Sequence, residues 1–206
     1  MKKSIISLLL VAGLHGAAHA QRGNLALGVK AGASLSRLVG EDAKSLENIF
    51  GFHAGLLANL SLSNHIAFQP ELLYSQKGMK QPNNSSPVIE KLYTTYRFNY
   101  VDVPLAFHVN TNGFFIEAGP QVGFLVSAKS KFGNASTDIE SRYNTIDFGY
   151  LAGLGYQRKS GLGAGLRYNG AFTNIGKESL QGSTTYQDRT RNSAFQLYLT
   201  YSFGRR

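Results

Sequence analysis

The chain has 206 residues and a formal net charge of +9, yet only 16% of its residues are charged. It contains no cysteine, which excludes disulfides and thiolate chemistry. Its basic residues are scattered among predicted loops and turns and form no continuous patch, so we expect no nucleic acid partner.

The N-terminal segment has the three parts of a secretory signal peptide. Lys2 and Lys3 are basic, residues 5–14 form an apolar run, and Ala18-His19-Ala20 is a cleavage motif with small residues at its first and third positions. The apolar run is too short to cross a membrane as a helix, which argues against an uncleaved anchor. We therefore predict a cleaved signal peptide, residues 1–20, and one mature domain, residues 21–206.

Eight segments of the mature chain alternate apolar and polar residues with a period of two, the pattern of a β-strand with one apolar face. The predicted strands are residues 25–36, 52–62, 66–77, 92–110, 114–126, 146–157, 162–172 and 193–203. In the last of them Phe195, Leu197 and Leu199 share one face, opposite Gln196 and Tyr198.

Two of the eight segments depart from this pattern. Pro70 stands inside the third, and in a sheet in water a residue without an N–H group would indicate an edge strand or a bulge. In the fourth, Phe98 and Tyr100 fall on even positions, whereas the apolar residues from Val101 onward fall on odd ones. This slip predicts a β-bulge near Tyr100-Val101, after which Asp102 faces inward.

The connections alternate in length along the chain. Residues 37–49, 78–91, 129–142 and 174–192 are long connections, and residues 63–64, 111–113 and 158–160 are short. A water-soluble barrel of the lipocalin kind also has eight strands, but nothing obliges its loops to alternate in this way. Transmembrane barrels do pair long extracellular loops with short periplasmic turns. The sequence therefore predicts an all-β protein of the outer membrane, an eight-stranded antiparallel up-and-down transmembrane β-barrel.

The polar faces of the predicted strands carry six ionisable residues. They are Lys30, Glu71, Asp102, Glu117, Asp147 and Arg167. We expect them to face the lumen, because a soluble barrel would instead expose a belt of large apolar side chains to water. Side chains fill the lumen of an eight-stranded barrel, so we predict a packed polar core, with a gate or narrow ion path as the alternative. Asp147 on the adjacent strand is the first expected partner of Arg167, followed by Glu117 and Asp102.

The sequence predicts no catalytic residue, cofactor or metal. The glycines of residues 161–165 could suggest a phosphate loop, but a strand follows them where such a loop needs a helix. His53, His65 and His108 lack the spacing of metal ligands. No His-x-Ser motif, as found in lipid A hydrolases built on such barrels, occurs in the chain.

Five segments taken together carry a family resemblance. They are ELLYSQKG at residues 71–78, YVDVPL at 100–105, EAGP at 117–120, DFGYLAGLG at 147–155 and RYN at 167–169. In this order they resemble the porin-family (PorT-like) outer-membrane β-barrel domain common in Bacteroidota, over about residues 23–203. Two departures are Asp102, where that family usually has a glutamate, and the tail of residues 204–206 after the last aromatic residue.

The resemblance implies a location and a set of partners. The C-terminal strand would carry the signal for the barrel-assembly machinery, and the exterior would contact outer-membrane lipid and lipopolysaccharide. We expect a small non-catalytic barrel with a side-chain-filled polar lumen and a structural or interaction role at the envelope. The alternatives are a component of a secretion or envelope assembly, with envelope or secretion proteins as partners, and a narrow channel for small solutes.

Overall fold

The computed structural model describes residues 25–43, 46–83, 92–177, 179–181, 184–186 and 189–203, so the predicted signal peptide lies outside the described residues. The strands are β1 Leu25–Gly40, β2 Ile49–Ser61, β3 Ile66–Asn83, β4 Leu92–Thr111, β5 Phe114–Phe132, β6 Ala135–Asp138, β7 Ile146–Gln157, β8 Leu162–Ala171, β9 Ser179–Gln181, β10 Thr184–Tyr186 and β11 Thr190–Ser202. A single 3-10 turn, Glu140–Arg142, follows β6. In these ranges no helix is long and apolar enough to cross a membrane.

Eight of these strands form a closed antiparallel ring. Each pairs with its neighbour in the order β1, β2, β3, β4, β5, β7, β8 and β11, and β11 pairs with β1 to complete the ring. Closure leaves no open sheet edge among these strands, which is what a sheet needs in order to cross a bilayer. The predicted eight-stranded barrel is confirmed. Strand β6 extends the outer end of β5, and β9 and β10 form a small hairpin.

The period of two in the sequence places apolar side chains outside and most polar ones inside. On β11, Leu197 and Leu199 are 59% and 60% exposed, whereas Gln196 and Tyr198 between them are each 2% exposed. The same alternation runs along β1 and β7, where Lys30 and Asp147 are buried. The outward apolar face of the ring is the surface that lipid covers.

The predicted bulge is found at the expected level, but on β5 and not on β4. Phe98, Tyr100 and Asp102 are all buried on the inner side, so the alternation of β4 continues without a slip. The register between β4 and β5 does shift beside Asn99 and Tyr100, but the extra residue is Val126 on β5. The apolar residues of β4 change from the inner to the outer face where the strand crosses the membrane boundary. Outside the membrane the outer face meets water, and the apolar side chains lie on the inner face.

Pro70 does not place β3 at an edge, because β3 pairs with both β2 and β4. Its Cα is paired with that of Leu105, and its side chain lies on the outer side of the sheet. The pairing with β2 lapses between Glu71 and Phe68 and then resumes in the same register. The missing N–H group therefore interrupts the hydrogen-bond ladder locally and leaves the alignment of the strands unchanged.

The two ends of the ring differ in the length of their connections. One end has short turns at residues 62–65, 112–113 and 158–161, and the other has long connections at residues 41–48, 84–91, 133–145 and 172–189. Asn112 and Gly113, at φ 49° and 89°, form the tightest turn, whose positive φ angles suit Asn-Gly. In transmembrane barrels the long connections are extracellular. The ends are called the short-turn end and the long-loop end below.

Candidate functional site

The centre of the lumen is organised by a single row of paired residues. His108 on β4 pairs with Glu117 on β5, Glu117 with Gly153 on β7, Gly153 with Arg167 on β8, and Arg167 with Gln196 on β11. A Cβ atom at Gly153 would lie 2.7 Å from Glu117 Oε1 and 2.6 Å from Leu166 O. The missing side chain at this position therefore gives Arg167 and Glu117 the space to meet across β7.

Arg167 contacts two carboxylates at once. Its Nε and Nη2 donate to Glu117 Oε1 at 2.8 Å and to Glu117 Oε2 at 2.6 Å. Its Nη1 and Nη2 donate to Glu71 Oε2 at 2.8 Å and to Glu71 Oε1 at 2.9 Å. The side chain is fully buried. Two bidentate contacts use the planar fork of the guanidinium on both sides and hold it rigidly between β3 and β5.

Lys30 supplies the second positive charge of this group. Its Nζ lies 2.7 Å from Glu71 Oε1 and 3.8 Å from the centre of the Tyr198 ring. Tyr198 in turn donates its hydroxyl to Glu117 Oε1 at 2.8 Å. We call Lys30, Glu71, Glu117, Arg167 and Tyr198 the central ion cluster. Its two cations balance its two anions, as buried charges require.

Asp102 and Asp147 lie apart from the central ion cluster, nearer the long-loop end. Lys77 Nζ contacts Asp102 Oδ1 at 3.1 Å. Asp147 accepts hydrogen bonds from Thr173 Oγ1 and Asn192 Nδ2, both at 2.8 Å. The six predicted residues are thus all buried, but four meet in one group and two belong to a second.

The expected pairing of Arg167 with Asp147 is wrong. The register places Gly153 opposite Arg167. Asp147 precedes Gly153 by six residues on β7, which is a distance of about 20 Å at the rise per residue of a β-strand. Glu117 is a partner, as predicted, and Glu71 is the partner that sequence reasoning missed. Lys77 was also left out of the charged set, although its inward position follows from the alternation of β3, which continues to Asn83.

An apolar layer closes the lumen above these charges. Phe98, Tyr100 and Ala128 are 0% exposed there. The layer consists of Leu38, Met79, Phe98, Tyr100, Leu125, Ala128, Ile139 and Ile175, and we call it the apolar layer. Ile139 and Ile175 come from two of the long connections, which fold back over the barrel mouth. The expectation of a wholly polar lumen is therefore incomplete.

The remaining buried polar groups form no metal-ligand set. Within the described ranges, no group of three or more His, Asp or Glu residues could hold a metal ion. Both ring nitrogens of His53 lack a hydrogen-bond partner, and the ring packs edge-on against Tyr198 with centroids 6.5 Å apart. A cavity of about 10 Å³ beside Lys77, Asp147 and Asn169 has space for one water molecule at most.

The closed ring, its apolar exterior and its alternating connections define an outer-membrane β-barrel protein. Residues 18–177 match the family model described as "Outer membrane protein beta-barrel domain". The chain belongs to this family, and its location is the outer membrane. No curated protein matches the chain. The finer resemblance to PorT-like proteins of Bacteroidota remains a prediction.

Solved structures of other bacterial barrels resemble the fold. Neisserial surface protein A (NspA) is 17% identical, with 86% of this chain and 97% of that one covered and a TM-score of 0.52. The attachment invasion locus protein Ail of Yersinia pestis is 16% identical, with 88% and 100% covered and a TM-score of 0.48. OprG of Pseudomonas aeruginosa is 10% identical, with 90% and 98% covered and a TM-score of 0.44. At these identities the likeness concerns the fold alone.

Proposed function

We propose that this protein is a closed, non-catalytic barrel with a structural or interaction role in the outer membrane. The observation that carries the proposal is the filling of the lumen at two levels. The central ion cluster blocks the middle, where Arg167 spans from β8 to Glu71 on β3. The apolar layer blocks the long-loop end with Phe98 and Tyr100, both fully buried. A path for solutes would need both levels to open.

The lumen also offers little to a chemical mechanism. Glu71 and Glu117 are saturated by Arg167 and Lys30, so neither carboxylate is free to transfer a proton. All four side chains are buried in the level that closes the middle of the lumen, where a substrate has no entry. We therefore assign the charges a structural role in the barrel and no catalytic one.

Bilayer conductance tests the closed state. We expect the purified protein to give no discrete current steps in a planar lipid bilayer. Arg167→Ala should stay silent too, because the apolar layer still blocks the long-loop end. Phe98→Ala should be equally silent, because the ion cluster is left intact. Reproducible unitary steps from the unmodified protein would overturn the proposal in favour of a narrow channel.

A role in a secretion or envelope assembly is the second candidate, favoured by the charge on the outer surface. On the eight ring strands every carboxylate points inward, whereas six basic side chains point outward. They are Arg37, Lys80, Arg97, Lys129, Lys131 and Arg191. Arg97 and Lys129 are directly paired across β4 and β5, and Asp138 of β6 is paired with Lys129 on its other side. The six cations outnumber this carboxylate, so this surface favours an anionic partner.

Crosslinking in intact cells tests this candidate. We expect an adduct of the unmodified protein with an envelope protein to be lost in the double variant Arg97→Gln, Lys129→Gln. The matched control is Arg158→Gln, Lys159→Gln at the short-turn end, which should keep the adduct. An adduct that survives the first variant and disappears in the control would move the contact to the periplasmic turns.

A further inference from the structure

A shallow groove crosses the outer, lipid-facing wall of the barrel from β7 to β2. It has a volume of about 480 Å³, within the range of sites that bind small ligands. Its floor includes the small side chains of Ala33 and Ala152, and its sides include Leu35, Phe195 and Tyr168. Its lining is almost wholly apolar. An acyl chain is the occupant that this chemistry fits.

The end of the groove nearer the long loops changes from apolar to basic. Arg37 follows Leu35 by two residues on β1, about 7 Å along the strand, and is paired with Ser193 of β11. Ser193 Oγ donates to the Tyr168 hydroxyl at 3.1 Å, which puts two hydroxyl groups beside the arginine. Arg191 precedes Ser193 by two residues on β11, again on the outer face.

Neither guanidinium is neutralised within the described residues. Arg37 and Arg191 are exposed and make no hydrogen bond or ion pair there. The carboxylates at the end of β1 are engaged elsewhere, because Arg189 Nη1 donates to Glu41 Oε2 at 2.8 Å and its backbone N–H to Asp42 Oδ2 at 2.9 Å. Within the described residues the site therefore keeps two unpaired positive charges beside the Tyr168 hydroxyl, at the long-loop end of the groove.

We propose that this groove, together with Arg37 and Arg191, binds one phosphorylated and acylated glycolipid of the outer leaflet. An acyl chain lies in the groove between Leu35 and Ala152, and a phosphate meets the two guanidinium groups, which favour bidentate contacts with phosphate oxygens. The inference rests on the outer wall of the barrel and holds whether or not the lumen conducts.

Charge complementarity argues against a second copy of the chain as the occupant. The outward faces of the ring strands carry no carboxylate in the described part of the chain, so a neighbouring barrel has nothing on those faces to pair with Arg37 and Arg191. Anionic lipid headgroups supply the missing charge directly. The occupant is thus a lipid with both acyl chains and phosphate, as lipid A has.

Native mass spectrometry with added lipid A tests the proposal. We expect the unmodified protein to retain one bisphosphorylated lipid A molecule in preference to phosphatidylcholine. The double variant Arg37→Gln, Arg191→Gln should bind about tenfold more weakly or worse, since one charge-assisted hydrogen bond is worth roughly a factor of ten. Ala33→Phe, which fills the groove floor, should weaken binding while leaving both arginines in place.

The matched control removes the same charge at the short-turn end. Arg158→Gln, Lys159→Gln should bind lipid A as the unmodified protein does. Equal losses of lipid A binding in the two double variants would show that positive charge anywhere on the barrel attracts the lipid, which would contradict a specific site. Undiminished binding to Arg37→Gln, Arg191→Gln, or equal binding of lipid A stripped of its phosphates, would also overturn it.

Discussion

Replacement of Arg167 by alanine is expected to lower the free energy of unfolding by about 3–5 kcal/mol, the usual effect of removing one member of a buried ion pair. In the unmodified protein Lys30 and Arg167 balance the two carboxylates of Glu71 and Glu117. In the variant both carboxylates stay buried, and Lys30 is the one cation that remains in the central ion cluster. Urea unfolding of the protein in lipid vesicles, followed by the shift between folded and unfolded forms on unheated gels, measures the loss.

Lys131→Ala is the control for this experiment, because it removes a positive charge from the exposed outer face and should leave the unfolding midpoint unchanged. Adding Glu117→Gln to Arg167→Ala should recover part of the lost stability, since it removes an uncompensated charge. An Arg167→Ala barrel as stable as the unmodified one would show that this guanidinium is not held as described.

Leu154→Arg is expected to destabilise the barrel in the membrane by about 2–4 kcal/mol, the range for a cation on the lipid face near the bilayer midplane. Leu154 is 59% exposed, and its neighbours in the row are Ile116 on β5 and Leu166 on β8, both also lipid-facing. The same unfolding assay in vesicles measures the effect, which should shrink in a thinner bilayer.

Leu62→Arg is the matched control for depth. Leu62 is 61% exposed but lies just after β2, at the short-turn end, where a cation reaches the headgroups at a cost of about 0–1 kcal/mol. Equal effects at the two positions would contradict the depth assigned to Leu154. If Leu154→Arg leaves stability unchanged and Gln196→Leu lowers it strongly, the inner and outer faces of the barrel have been assigned the wrong way round.

Much of the fold follows from the period of two. Strand identity, the inward direction of Lys30 and Arg167, and the alternation of loop lengths all depend on local sequence, because neighbouring side chains on a strand point to opposite faces. Ring closure follows as well, since no open sheet edge is tolerated in lipid. These features could be predicted without knowledge of which residues meet across the lumen.

The partners of the charges could not be predicted in this way. Arg167 lies opposite Gly153 because of the register between β7 and β8, and no local pattern specifies that register. Glu71 reaches the same point from β3, which is not adjacent to β8 in the ring. Contacts across a lumen depend on the stagger of all eight strands, a property of the closed sheet and not of any one segment.

The inner aromatic residues were misassigned for a different reason. Above the membrane the outer face of the barrel meets water in place of lipid, so Arg97 and Asn99 point to water while Phe98 and Tyr100 pack inside. This reversal has the same sequence signature as a bulge. The extra residue that does shift the register, Val126, is apolar and stands in a strand of unbroken apolar alternation, where nothing marks it.

The central ion cluster has a consequence for how the barrel assembles. It joins residues as distant in sequence as Lys30 and Tyr198, and its members come from β1, β3, β5, β8 and β11. A register slip of one residue in any of these strands would turn its cluster side chain toward lipid and leave the partners of that side chain unpaired in the lumen. Only one alignment of the sheet satisfies all five side chains, and it is complete only when the last strand meets the first. The side chains that block the lumen thus also favour the correct register of the strands that surround them.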